Sequence, residues 1–233
     1  MKVAIHQPNY LPWAGYFKKM AMADVFVILD TVQFSKDSYT QRTKIRTKDG
    51  WLWLTIPVEK EFNFKPIKEV RLPGDCKWPK KHWTSIMANY SKSEFYDNSF
   101  IEGLYGGVYH TLQELNEAGI FYIKDKLGIK TRVIRASDLD LDTSLHSTDL
   151  IIDIVKKAGG DIYISGTGGD NYQDISKFEK ANIAVEYARF QPVEYSQRWD
   201  GFEPYMSAID LLFNTGKEGL KMIKTNNNAG EGA

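Results

Sequence analysis

The stretch Lys2–Asp30, KVAIHQPNYLPWAGYFKKMAMADVFVILD, decides the fold. Val3-Ala4-Ile5 opens it and Val25-Phe26-Val27-Ile28-Leu29 closes it. Both runs are short, rich in β-branched residues and bounded by polar ones, as strands buried in a parallel sheet are. Between them Ala14 to Ala23 reads as a helix, with Pro12 in a first-turn position where its missing N–H costs nothing. The product is a strand–loop–helix–strand unit whose loop is His6-Gln7-Pro8-Asn9-Tyr10-Leu11-Pro12-Trp13. In an open α/β sheet, ligands sit beyond the carboxyl ends of the strands, where this loop falls. Two prolines stiffen it, and His6, Gln7, Asn9, Tyr10 and Trp13 offer contacts that a plain connection does not need. The alternative is an ordinary βα turn with its aromatics packed inward.

Working outward, Asp30 and Gln33 leave the second strand at the same rim. Ser35 to Arg46 is polar, and Arg42 is its candidate anion contact because the run follows directly from a rim element. Gly50 to Val58 reads as a strand in a hairpin with Thr40 to Thr47 across Asp49-Gly50. Trp51 and Trp53 share one face, with a core role the simpler expectation. Ile67 to Leu72 alternates and reads as a further strand, so about 35–72 forms a β-rich insertion.

Trp78 to Tyr90 has helical periodicity, with His82 near its start as a packed or exposed residue. Ile101 to Leu127 is helical in pattern, broken at Gly106-Gly107 and near Gly119, and stopped by Gly128. Thr131 to Ala136 is a strand, and Thr148 caps an amphipathic helix from Asp149 to Ala158. Asp161 to Ile164 is a strand followed at once by Ser165-Gly166-Thr167-Gly168-Gly169-Asp170-Asn171-Tyr172. Glycine-freed amides of such a loop can approach an anion at a helix N-terminus. Neither the P-loop lysine nor the dinucleotide fingerprint is present. Ile183 to Tyr187 is another strand, and Met206 to Phe213 an apolar helix carrying Asp210, a carboxylate that must be paired or at a site.

Strands alternating with helices indicate an α/β protein: a three-layer sandwich with a mainly parallel, Rossmann-like sheet and a hairpin-containing insertion. One domain over 1–224 and a disordered tail over 225–233 are expected. Lysine plus arginine equal aspartate plus glutamate, 30 each, which argues against a nucleic-acid partner. Cys76 is the sole cysteine, so no intrachain disulfide or Cys-based zinc site can form. No metal site is assigned. No apolar run approaches membrane-spanning length, and a cytoplasmic protein is expected.

HQPNYLPWAGYF, then LDTVQF with Arg42 following, YISGTGGDNY and SAIDLLFNTG together resemble the WbqC-like family over nearly the whole chain. That bacterial family is associated with O-antigen and other surface-polysaccharide gene clusters. The resemblance implies transfer of glycine or another small amine to a sugar carboxylate. A more distant likeness is to HIGH-type nucleotidyltransferases and adenylating ligases. Gly15 and the Ser165/Thr167 pair match those enzymes, while Trp13 and Tyr16 stand where their histidines would be. The implied substrates are a sugar acid or nucleotide-sugar and a small amine, with ATP or a nucleotide-sugar as the implied cofactor. On this reading His6 or Asp30 takes the amine proton, Arg42 holds the carboxylate, and Tyr10 and Trp13 cradle the sugar. Gln7, Asn9, Gly15, Tyr16, Gln33, Ser165, Gly166, Thr167, Asp170 and Tyr172 complete the expected binding set. A non-catalytic nucleotide- or sugar-binding protein and a structural partner in an assembly complex are the alternatives. A second copy of the chain is a candidate partner.

Overall fold

A computed structural model of the chain describes residues 1–74, 77–166, 168 and 173–225. The opening stretch forms β1 (Lys2–His6), α1 (Ala14–Ala21) and β2 (Val25–Ile28), with β1 and β2 parallel. Trp13 is the N-cap of α1, so Pro12 lies one residue outside the helix, not in its first turn. The insertion contributes β3 (Arg42–Thr47) and β4 (Gly50–Thr55), an antiparallel pair separate from the main sheet. Ile45, Leu54 and Ile56 anchor that hairpin in the core. Trp51 is 45% exposed and Trp53 half-buried, so the expected core role gives way to an outward face shared with Arg42 and Lys44. Ile67–Glu69 is a short 3-10 turn instead of a strand, because Ile67 and Val70 both point into the core.

Three helices follow: α2 (Lys77–Tyr90), α3 (Asn98–Gly106) and α4 (Leu112–Lys126). The break expected at Gly106-Gly107 is present: α3 ends at Gly106 and α4 starts at Leu112. Thr111 and Glu114 form a capping box that starts α4 afresh. Gly119 does not break α4; it lets Leu11 pack close, since an added Cβ would lie 3.1 Å from Leu11 Cδ2. Gly128 ends the helix as expected, at φ +73°, with its N–H on Asp125 O and the Ile129 N–H on Lys124 O.

The remaining elements are β5 (Arg132–Arg135), α5 (Ser147–Lys157), β6 (Ile162–Gly166), α6 (Ile175–Lys180), β7 (Ala184–Ala188), α7 (Ala208–Thr215) and α8 (Glu218–Thr225). Thr148 lies inside α5, where its hydroxyl accepts the Asp174 N–H at the start of α6 instead of capping its own helix. Asp210 is fully buried and paired, accepting from Tyr195 Oη at 2.6 Å and Gln197 Nε2 at 2.7 Å.

The five-stranded sheet has the order β5-β2-β1-β6-β7, with every neighbouring pair parallel. Alternation along the strands sends Val3, Ile5, Val25 and Val27 to a core beneath α5 and α6. Ala4, Phe26 and Ile28 face the other core, shared with α1, α4, α7 and the hairpin. Helices therefore cover both faces of a parallel sheet. Among the described residues no helix is long and apolar enough to cross a membrane.

Candidate functional site at the carboxyl edge of the sheet

Taken in chain order, the parallel strands are arranged 3-2-1-4-5, so the winding reverses between β1 and β6. Ligand clefts in wound α/β sheets open at that reversal, outside the carboxyl ends of the strands. The loop His6–Trp13 leaves β1, and the glycine-rich loop leaves β6, its parallel neighbour in the register Ala4↔Ile164. Ser165 is buried, with Oγ 3.0 Å from Gln173 Oε1 and 3.2 Å from Gly166 O. A Cβ added at Gly166 or Gly168 would meet no described residue within 4 Å. The expected contacts Thr167, Asp170 and Tyr172 lie outside the described residues.

A row of side chains crosses the edge. His6 pairs in register with Ile28, and Ile28 with Arg135, so all three share one face of the sheet. His6 and Arg135 stand two strand spacings apart, roughly 10 Å. Arg135 is clamped by Glu117 of α4, through Nε at 2.9 Å and Nη2 at 2.6 Å. Gln113, one turn earlier, donates to Glu117 Oε1 at 2.7 Å and to Asp30 Oδ2 at 3.2 Å. Asp30 also accepts the Ser137 N–H at 3.0 Å and its hydroxyl at 2.5 Å, which ties the end of β2 to the end of β5. Tyr16 lies beneath, its ring 4.8 Å from the His6 ring and its buried hydroxyl without a hydrogen-bond partner among the described residues.

The other expected residues divide. Gln7 accepts from Thr40 Oγ1 at 3.3 Å, joining the loop to the insertion, and Asn9 is buried beside it. Asn116 clamps the same junction, donating to Pro8 O and Thr40 O at 2.8 Å each. Tyr10 turns inward, where its hydroxyl meets His82 Nδ1 at 2.9 Å and the Tyr105 hydroxyl. Trp13 points away from the row, into a crevice with Phe190 and Tyr205. Its ring covers Gly15, where an added Cβ would lie 2.3 Å from it, so this glycine serves packing. Arg42 stacks on Trp53 at 4.4 Å and pairs with Asp37 at 3.6 Å. Gln33 is exposed, in a single bridge to Pro66.

Burial sets the electrostatics. His6 donates through Nδ1 to Gln7 O at 3.1 Å, which leaves Nε2 as an acceptor. Desolvation, helped by the nearby Lys19 charge, pushes its pKa down to about 3. Lys19 is itself buried, donates to Ile5 O at 2.7 Å, and desolvation pushes it down to about 7. Desolvation also takes His82 down to about 4. Above pH 6.5 both imidazoles are neutral in folded and unfolded chains alike and affect stability little. As the pH falls from 6.5 towards 3, the unfolded chain binds protons first, so stability is lost across that window. The combined variant His6→Gln/His82→Gln should flatten that loss by a few kcal/mol in denaturant titrations between pH 7 and 4. An unchanged slope would place the acid sensitivity elsewhere.

Lys19, Gln113, Glu117 and Arg135 escape a sequence reading that looks for the site in loops, since all four lie on regular elements. The available signal was in α4, where Gln113, Asn116 and Glu117 recur at helical spacing on its buried face. No group of three or more histidine, cysteine, aspartate or glutamate side chains among the described residues is placed to hold a metal ion.

Fold and edge together define a Rossmann-like α/β protein with a polar row at the switch point of its sheet. The chain belongs to the WbqC-like protein family, whose model matches residues 7–222. It is 35% identical over 222 residues to an uncharacterized protein, Rv1507c, of Mycobacterium tuberculosis, covering 93% of this chain and 95% of that one. No solved structure matches the chain.

Proposed function

We propose that the switch-point edge is the active site of a cytoplasmic enzyme of bacterial surface-polysaccharide (O-antigen) biosynthesis, one that joins a small amine such as glycine to a sugar carboxylate. The observation that carries this reading is the row itself, with a neutral imidazole at one end and a half-exposed guanidinium at the other. A guanidinium holds a carboxylate or phosphate through paired bonds. Arg135 is the anion contact on this reading because it stands in the row with its side chain 47% exposed; Glu117 takes its Nε and Nη2, so an anion meets it through Nη1, while Arg42 lies off the row against Asp37 and Trp53. Amide formation needs an activated carboxyl group, and a nucleoside triphosphate supplies the activation. The amine nitrogen then bonds to the carboxyl carbon, the activating group leaves with its C–O electron pair, and the amine proton passes to a base. His6 Nε2 takes that proton. An anionic substrate beside it raises its pKa towards the working range. Asp30, with both oxygens engaged, positions the ends of β2 and β5.

Incubation with ATP, galacturonate and 15N-glycine tests the reading. The expected product, resolved by mass spectrometry, is the uronic acid plus glycine less one water. Gly166→Val should abolish it with little change in Tm, because a Cβ there meets no described residue within 4 Å but hinders an anion's approach to the backbone. A large fall in Tm with product intact would assign Gly166 to the pairing of β6 with β7 instead. Binding of ATP or uronate without product would favour the second reading, a non-catalytic binding protein. That reading is favoured by Trp13 and Tyr16, which supply no imidazole at the positions where adenylating enzymes carry histidine.

A further inference from the structure

On the far side of the Tyr10–Tyr105 contact, a cleft of about 590 Å³ opens between α2 and α3. Trp78, Trp83, Tyr105 and Tyr109 supply its aromatic wall, and Lys80 and Thr84 add polar groups. We propose that this cleft binds a pyranose ring, independently of the chemistry assigned to the switch-point edge.

Its volume and mainly aromatic lining with a few polar groups are those of a small-molecule site. The Trp78 and Tyr105 rings form an angular corner, 6.2 Å apart with planes crossing at 80°. A flat nucleobase sandwiched between rings needs parallel faces. A chair-shaped sugar presents C–H groups in several directions and hydroxyls at its rim, which suits an angular aromatic corner. The indole N–H of Trp83 is shut off from solvent, so Trp83 offers a ligand in the cleft its ring and not its donor. Tyr105 is fixed by its bond to Tyr10, and Tyr10 by His82, so one wall is held in place before any ligand arrives. The phenol end of Tyr109 lies over Gly107, where an added Cβ would meet Cε2 at 2.8 Å. Gly106 borders the same cleft with open space where its side chain would be, so it can carry a plug without disturbing the fold.

Saturation-transfer NMR with methyl β-glucopyranoside and, separately, adenosine tests this. The neutral pyranoside lacks the carboxylate that the edge site requires. The expected result is saturation of the pyranoside ring C–H protons by the wild-type protein. That signal should fall at least tenfold in Gly106→Leu or in Trp83→Ala, whichever keeps a native near-UV spectrum, and persist in Gly166→Val. Three results would overturn the inference: no transfer to the pyranoside, transfer to adenosine alone, or a signal retained in both cleft variants. The Gly166→Val control separates this outcome from failure of the edge site.

Discussion

Asn116→Ala should lower the unfolding free energy by about 2–4 kcal/mol, through two buried carbonyls left without a donor. Asn116 is fully buried on α4, and its amide joins Pro8 O in the first loop to Thr40 O at the start of the insertion. Alanine removes both bonds and opens a small void at a fully buried position. In a chain of this size the loss corresponds to a fall in Tm of roughly 5–15 °C. Calorimetry with a urea titration would measure it. A shift of only a degree or two would mean that the loop is held by its prolines and by the Tyr10 N–H to Tyr39 O bond instead.

Lys19→Met should do the opposite, stabilising the protein at pH 6 and losing that advantage by pH 10. Below pH 7 the lysine is charged in both states, and the folded chain bears the whole desolvation cost. Between pH 7 and about 10.5 the unfolded chain keeps its proton while the folded one has released it, so wild-type stability rises with pH. Methionine removes the titration and nearly preserves the volume. The difference between the two proteins should therefore shrink by ~3–5 kcal/mol from pH 6 to pH 10. Parallel pH profiles would show that the bond to Ile5 O keeps Lys19 charged at neutral pH. Lys19 thus bears its cost between Ile5 of the first strand and the Tyr163 ring of β6.

The sheet was legible because its strands announce themselves locally: each is a short apolar run closed by a polar residue or glycine. Their adjacency at β1 and β6 followed from the winding rule once the elements were in order. The first loop could be located, but the direction of each side chain could not. Tyr10 and Trp13 both looked like contacts for a ligand, yet tertiary packing turns one inward to His82 and the other to Phe190. Ile67 to Leu72 alternates as a strand would, yet two core contacts and a proline before it are satisfied by a tight turn. The capping box at Thr111 and Glu114 was written in the sequence and marks the true start of α4. Glu117 and Arg135 were the least legible. Their pairing depends on α4 crossing the end of β5, a juxtaposition that no local pattern encodes.

The most direct measurement follows the imidazole nitrogens of 15N-histidine-labelled protein during titration with galacturonate. The chain has only four histidines, at 6, 82, 110 and 146, so each resonance can be assigned by single substitution. The predicted result is a saturable shift of His6 Nε2 towards the protonated value, absent in Arg135→Gln, while His110 and His146 stay still. A saturable response confined to the other histidines, with His6 unmoved, would contradict a ligand site at the switch-point edge.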